Sequence, residues 1–219
     1  MNRGSGHPLA YPLTVTFGAL AVIAAWAPFA DLDQVSALVT VALGILGYTG
    51  YRVSTALGWV PSGPGRQRTV PVRRVRQQHR LVSRSWLEVG DGGRTRWVPV
   101  YFDPRLVALT GGDAHITAKR ITIGELRLYP SGRFRDTEPP GRLVDNPSRP
   151  APDAAERAAT AAKPARRLLL DAQSAVAAPF AALLWVYVAN GGVPAFAGAT
   201  CVAAVTAIWL SAIRGSDPS

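Results

Sequence analysis

The sequence predicts a membrane α-helical protein, four transmembrane helices arranged as two hairpins, with a small all-β cytoplasmic domain inserted between them. Three observations carry this. Four long apolar runs are free of charge, and nearly all charge falls in the stretch that separates the first pair of runs from the second. Within that stretch the apolar pattern shortens to strand-like segments punctuated by glycine and proline.

Charge segregation is the sharpest of the three. Of 24 Lys and Arg, 22 lie between Arg52 and Asp171, with 11 of the 14 acidic residues, a net charge of +11 for that stretch. Only Arg3, Asp31 and Asp33 precede it, and only Arg214 and Asp217 follow. A soluble chain spreads charge over its whole surface and does not sort it this way. Total composition is uninformative beside this, with 48% hydrophobic residues in the ordinary soluble range. The bias to arginine, with lysine only at Lys119 and Lys163, and the abundance of Ala, Gly, Val and Pro are those of a GC-rich bacterial gene. The membrane expected is therefore the bacterial plasma (inner) membrane. A single cysteine, Cys201, sits in an apolar run and excludes an intrachain disulfide.

Residues 1–11 form an N-terminal segment before the first hairpin, 12–54. Its first run, Pro12 to Ala30, has 19 residues, which at about 1.5 Å each cross a hydrocarbon core of about 30 Å. Asp31-Leu32-Asp33-Gln34 leaves room only for a tight turn, and Val35 to Tyr51 returns. A cleaved signal peptide would use Ala25-Trp26-Ala27, but Pro28 would then open the mature chain and the leading region carries only Arg3. The second hairpin, 172–213, repeats the pattern: Ala172 to Ala189, a turn at Asn190-Gly191-Gly192, and Val193 to Ile213. Buried helices of a soluble all-α domain are the alternative, and four runs without charge or amphipathic period disfavour it. Tyr11, Tyr48, Tyr51, Trp59, Tyr187 and Trp209 lie mostly near run ends, as an interfacial aromatic belt requires.

Both hairpin turns lack Lys and Arg, whereas Arg52, Arg66 and Arg68 follow the second run and Arg157, Lys163, Arg166 and Arg167 precede the third. Positive charge stays inside, so the middle segment, the N-terminus and the tail 214–219 are expected to be cytoplasmic.

Residues 55–65 read as a linker, Gly58 and Pro61 to Gly65 stopping the helix. Across 66–136, strand-like stretches appear at Thr69–Arg76, Leu81–Val89, Arg96–Phe102, Leu106–Thr110, His115–Ile123 and Leu126–Tyr129. This spacing predicts a small antiparallel barrel or sandwich, with hairpin turns at Gly90–Gly93 and Gly111–Asp113. A domain of that size buries little core alone and needs support from the membrane or a partner. Residues 137–171 are a proline-rich connector without fixed structure, followed by an alanine-rich amphipathic helix that Asp153 caps and Glu156 reciprocates. Arg166 to Leu170 then lead into the third run along the membrane surface.

No constellation points to chemistry. His7, His79 and His115 lack the spacing of helix-borne metal ligands, and no nucleophile elbow or phosphate-cradling loop occurs. No cofactor is expected. Asp171 stands at the entry of a run, and none of the four runs carries an Asp, Glu, Lys, Arg or His at depth, which disfavours an ion-coupled carrier. Small residues line two faces, Gly44, Gly47 and Gly50 in the second run and Ala199, Ala203 and Ala207 in the fourth. They suit close helix packing within one bundle, with homo-oligomerisation as the alternative. The strongest charge feature is Arg73, Arg74, Arg76, Arg80 and Arg84, to which Arg166 and Arg167 add. Without interleaved aromatics or a reading module, nucleic acid is disfavoured, and anionic membrane lipid or a protein partner is the expected contact. The expected function is a non-enzymatic scaffold or accessory subunit that presents the basic β domain to another membrane or cytoplasmic protein. A transport component and an interfacial lipid or envelope enzyme are the alternatives.

Overall fold

The computed structural model describes residues 6–61, 63, 67–145 and 151–219. Residues 1–5 of the N-terminal segment, Ser62, Pro64 and Gly65 of the expected linker, Arg66 at the start of the expected β domain, and residues 146–150 of the connector lie outside the described residues. Four helical stretches are long and apolar enough to cross a membrane: Ala10–Phe29, Leu32–Leu57, Pro164–Ala189 and Gly192–Ile213. Beside them stands a curled antiparallel sheet of seven strands.

The helical stretches run slightly past the charge-free runs, and capping sets both ends of the second. Helix α1 (Ala10–Trp26) passes into a 3₁₀ turn ending at Phe29. Asp31 is the N-cap of α2 (Leu32–Leu57), its carboxylate accepting from the Gln34 N–H at 2.8 Å, so the expected tight turn is already helical from Leu32. Gly58 ends α2 with φ +81°. A Cβ there would lie 2.3 Å from the Lys119 carbonyl oxygen, so only glycine fits both the left-handed cap and the close approach. Helix α3 (Ala154–Ala161) begins near the expected place, but Asp153 caps nothing and instead pairs with Arg157 at 3.1 Å. The third long stretch starts early, at α4 (Pro164–Ala172), because proline suits a first helical turn. It continues through a 3₁₀ segment, Gln173–Ala177, into α5 (Ala178–Ala189). After Asn190 and Gly191, α6 (Gly192–Ile213) returns.

Helix α6 is central and packs on α1 and α5. Ala19 and Ile23 of α1, Ile45 of α2, and Trp209 and Ile213 of α6 form the shared core. The two hairpin turns meet at one end, where a Cβ on Gly191 would lie 3.6 Å from the Gln34 amide nitrogen. A cavity of about 610 Å³ lies among α2, α5 and α6. Ala199, Ala203 and Ala207 line that cavity. Gly44, Gly47 and Gly50 face outward, and nothing lies within 4 Å of a Cβ placed on any of them.

The sheet comprises β1 (Arg68–His79), β2 (Val82–Asp91), β3 (Arg94–Val100), β4 (Gly112–Ile116), β5 (Ile121–Ile123), β6 (Leu126–Leu128) and β7 (Arg142–Asp145). The order is β3-β2-β1-β4-β5-β6, all antiparallel, and β7 pairs β1 beyond the end of β4. Gly92 and Gly93, φ +55° and +87°, make the expected two-residue turn between β2 and β3. Gly111–Asp113 makes no hairpin, because Gly112 opens β4 against β1. Leu106–Thr110 is no strand: Pro104 and the Asp103 carboxylate, accepting from the Arg105 N–H at 2.9 Å, wind Pro104–Ala108 into a 3₁₀ turn. His115–Ile123 breaks into β4 and β5 at a turn where the Thr117 hydroxyl accepts from the Arg120 N–H at 2.9 Å. The chain after β6 is more ordered than its composition suggests. Arg135 exchanges two 2.8 Å backbone bonds with Trp97, the Ser131 N–H donates to the Pro99 carbonyl at 2.8 Å, and the chain then forms β7.

One face of the sheet buries Val70, Val72, Leu87, Val98 and Val100, each stabilising by about 1.5–3 kcal/mol relative to exposure. Residues 214–219, the expected cytoplasmic tail, pack against this domain. Ser216 bridges Arg84 of β2, and the Asp217 N–H donates to the Ser83 carbonyl at 2.9 Å.

Candidate functional site

Strand alternation builds the junction between helices and sheet. Val70 and Val72 point into the core of the half-barrel, and the same parity carries Arg74 inward at its end. An inward guanidinium needs a counter-charge, and the segment after α6 supplies it. Arg74 donates to the Asp217 carboxylate at 2.9 Å, and both side chains are fully buried. Ser85 also donates to that carboxylate, as do the Ser219 N–H at 2.9 Å and the Ser219 hydroxyl at 2.7 Å. Burial alone would raise the Asp217 pKa, but Arg74 and these donors outweigh it and hold it below the ordinary carboxylate range. The Tyr101 hydroxyl donates to the Ile213 carbonyl at 2.7 Å, and burial pushes its pKa up to about 12. Helix α6 and the half-barrel are thus joined by a buried ion pair and a buried phenol.

A second buried carboxylate fastens α4 to α1 and α6. Asp171 accepts from Tyr11 at 2.6 Å, Ser211 at 2.6 Å and Ser216 at 3.0 Å. The Arg167 guanidinium, one helical turn earlier, lies 3.8 Å from the centre of the Tyr11 ring, and its Nε and one Nη are buried without an acceptor. Asp171, expected at the mouth of a run, is therefore the hub that draws three separate segments together. A pocket of about 220 Å³ opens here between the β1–β2 hairpin, α4 and the final segment, with Arg76, Arg166 and Arg167 in its wall.

The seven arginines expected at an acidic contact surface divide. Arg74 and Arg167 are buried and hold the junction together, so they are structural rather than superficial. Arg73 is exposed but paired across the strands with Glu88, its Nε at 2.9 Å. Arg80 and Arg166 are exposed, and Arg80 occupies the tip of the β1–β2 turn with φ +56°. Arg76 donates to the Ser219 hydroxyl at 3.1 Å.

Arg84 belongs to a group that sequence reasoning did not assemble. It lies beside Arg52 at the end of α2 and Arg214 after α6, and burial followed by repulsion from Arg214 and Arg52 lowers its pKa to about 10. Tyr48 is the common neighbour: the Arg52 guanidinium carbon lies 5.5 Å from its ring centre, and the Arg214 Nε donates to its hydroxyl at 3.4 Å. Tyr48 stacks edge-on against Trp209, whose indole N–H donates to the Thr49 hydroxyl at 3.0 Å. Arg52 and Arg214 each flank an apolar run, and that adjacency was the available signal. Comparison of the chain with protein families, with curated proteins and with solved structures finds no match.

Proposed function

We propose that the protein is a membrane-anchored, non-enzymatic scaffold or accessory subunit of the plasma membrane. Its four helices cross the bilayer as two hairpins, and its basic half-barrel is held against the cytoplasmic leaflet for a protein partner to engage. One observation carries this reading. The chain leaving α6 enters the half-barrel and buries Asp217 against Arg74, so the β domain is fixed to the helix ends instead of hanging on a linker. A domain whose only task was to be tethered would not need this. Exposed Leu81, at the hairpin tip, and Leu168–Leu170, on α4, suit a surface that rests in the headgroup layer.

The test is cross-linked co-purification of the tagged full-length protein from native membranes, beside a variant carrying Arg73→Gln, Arg80→Gln and Arg166→Gln. The scaffold reading expects a specific protein whose recovery falls with the variant. Recovery of lipid or of the protein itself alone would overturn it. A transport component is the second reading, favoured by the cavity among α2, α5 and α6, whose wall includes Gln34 and Thr206. Substrate flux in reconstituted vesicles would support transport, and the scaffold reading expects none.

A further inference from the structure

We infer that Arg52, Arg84 and Arg214, gathered around Tyr48 where α2 and α6 end, form a binding site for the phosphate of an anionic phospholipid headgroup. The inference rests on the proposal that these helices cross a membrane. Within the β domain the fold pairs arginines with carboxylates: Arg68 with Asp91, Arg73 with Glu88, Arg74 with Asp217, Arg96 with Asp136 and Arg105 with Asp103. Among the described residues Arg52, Arg84 and Arg214 have no such partner, although Arg84 bridges Ser216, two residues past Arg214, and Arg52 and Arg214 both meet Tyr48. The Nε of Arg52 and of Arg84 are buried without an acceptor. Donors shut away from water and left unmet are costly, and so is a concentration of like charge. One oxyanion answers both, since a phosphate accepts several guanidinium bonds at once and supplies the missing negative charge.

The place selects a lipid phosphate over a soluble one. Tyr48 and Trp209 sit at this level, aromatics of the kind that mark the headgroup layer. The neighbouring 220 Å³ pocket has Asp171 and Asp217 in its wall and is the poorer anion site.

Full-length protein, delipidated in neutral detergent, is titrated with phosphatidylglycerol, phosphatidylcholine or inorganic phosphate, and bound lipid is counted by native mass spectrometry. Phosphatidylglycerol should bind saturably and phosphatidylcholine should not. The Arg52→Gln/Arg214→Gln variant should bind phosphatidylglycerol at least about tenfold more weakly. Arg94→Gln/Arg120→Gln, which removes the same charge from exposed sites elsewhere, should bind as the parent does. Arg214→Gln alone, at an exposed position, should give a smaller loss with an unchanged melting temperature. Unaltered binding by Arg52→Gln/Arg214→Gln, or equal loss in both double variants, would overturn the site. Displacement of phosphatidylglycerol by an equal concentration of inorganic phosphate would overturn its assignment to lipid. The titration in detergent does not depend on how the β domain faces a bilayer, so failure of the site and failure of the scaffold reading appear in different experiments.

Discussion

Arg74 and Asp217 are the residues on which the joining of the two halves turns. Removing one partner leaves a buried charge uncompensated, so Asp217→Asn should destabilise the full-length protein by ~3–5 kcal/mol. Arg74→Met combined with Asp217→Leu should restore part of that loss, because apolar groups of similar volume need no counter-charge. Thermal unfolding in detergent reads both. The pH dependence follows from the depressed Asp217 pKa. Its contribution is complete above the unfolded carboxylate value of about 3.9 and is lost as pH falls through the lower folded value. The stability gap between parent and Asp217→Asn should therefore narrow only below about pH 4. Part of this was legible in the sequence. Val70, Val72 and Arg74 share one strand face, so an inward Arg74 follows from alternation once the strand is placed. Its partner lies 143 residues away, and no local pattern names it.

At the scale of elements, turn chemistry decides more than propensity. Gly92-Gly93 announces its hairpin, whereas Gly111-Gly112 looks alike in sequence and opens a strand, because the 3₁₀ turn before it delivers the chain to β1 instead of back on itself. The prolines after β6 mask two pairings, at Arg135 and in β7, whose partners are strands far upstream. Gly58 shows how firmly one such element end is fixed. Gly58→Ala should lower stability by at least about 2 kcal/mol, from the left-handed backbone and the contact with Lys119 together, which thermal unfolding would detect. Gly47→Ala, on the outward face of α2, should cost nothing measurable in the monomer, since its added methyl meets open space.

For the whole molecule, charge segregation made the four helical stretches and the inserted β unit readable, because hydrocarbon length and the exclusion of charge leave a strong mark on composition. How those parts are held together left almost none. Asp171, Tyr11, Ser211 and Ser216 come from four separate places, and each reads locally as an ordinary polar residue at a helix end. The resulting shape has a definite polarity, with both hairpin turns at one end of the helices and the half-barrel at the other. If the helices cross a bilayer, the two ends face different compartments. The most direct test is cysteine accessibility in sealed membrane vesicles of the full-length protein. Cys201→Ser would be combined in turn with Asp33→Cys, Asn190→Cys, Arg94→Cys or Glu125→Cys, and each variant labelled with an impermeant maleimide before and after permeabilisation. Positions 33 and 190 should react as one class and positions 94 and 125 as the opposite class. Equal reactivity of all four positions before permeabilisation would contradict the account.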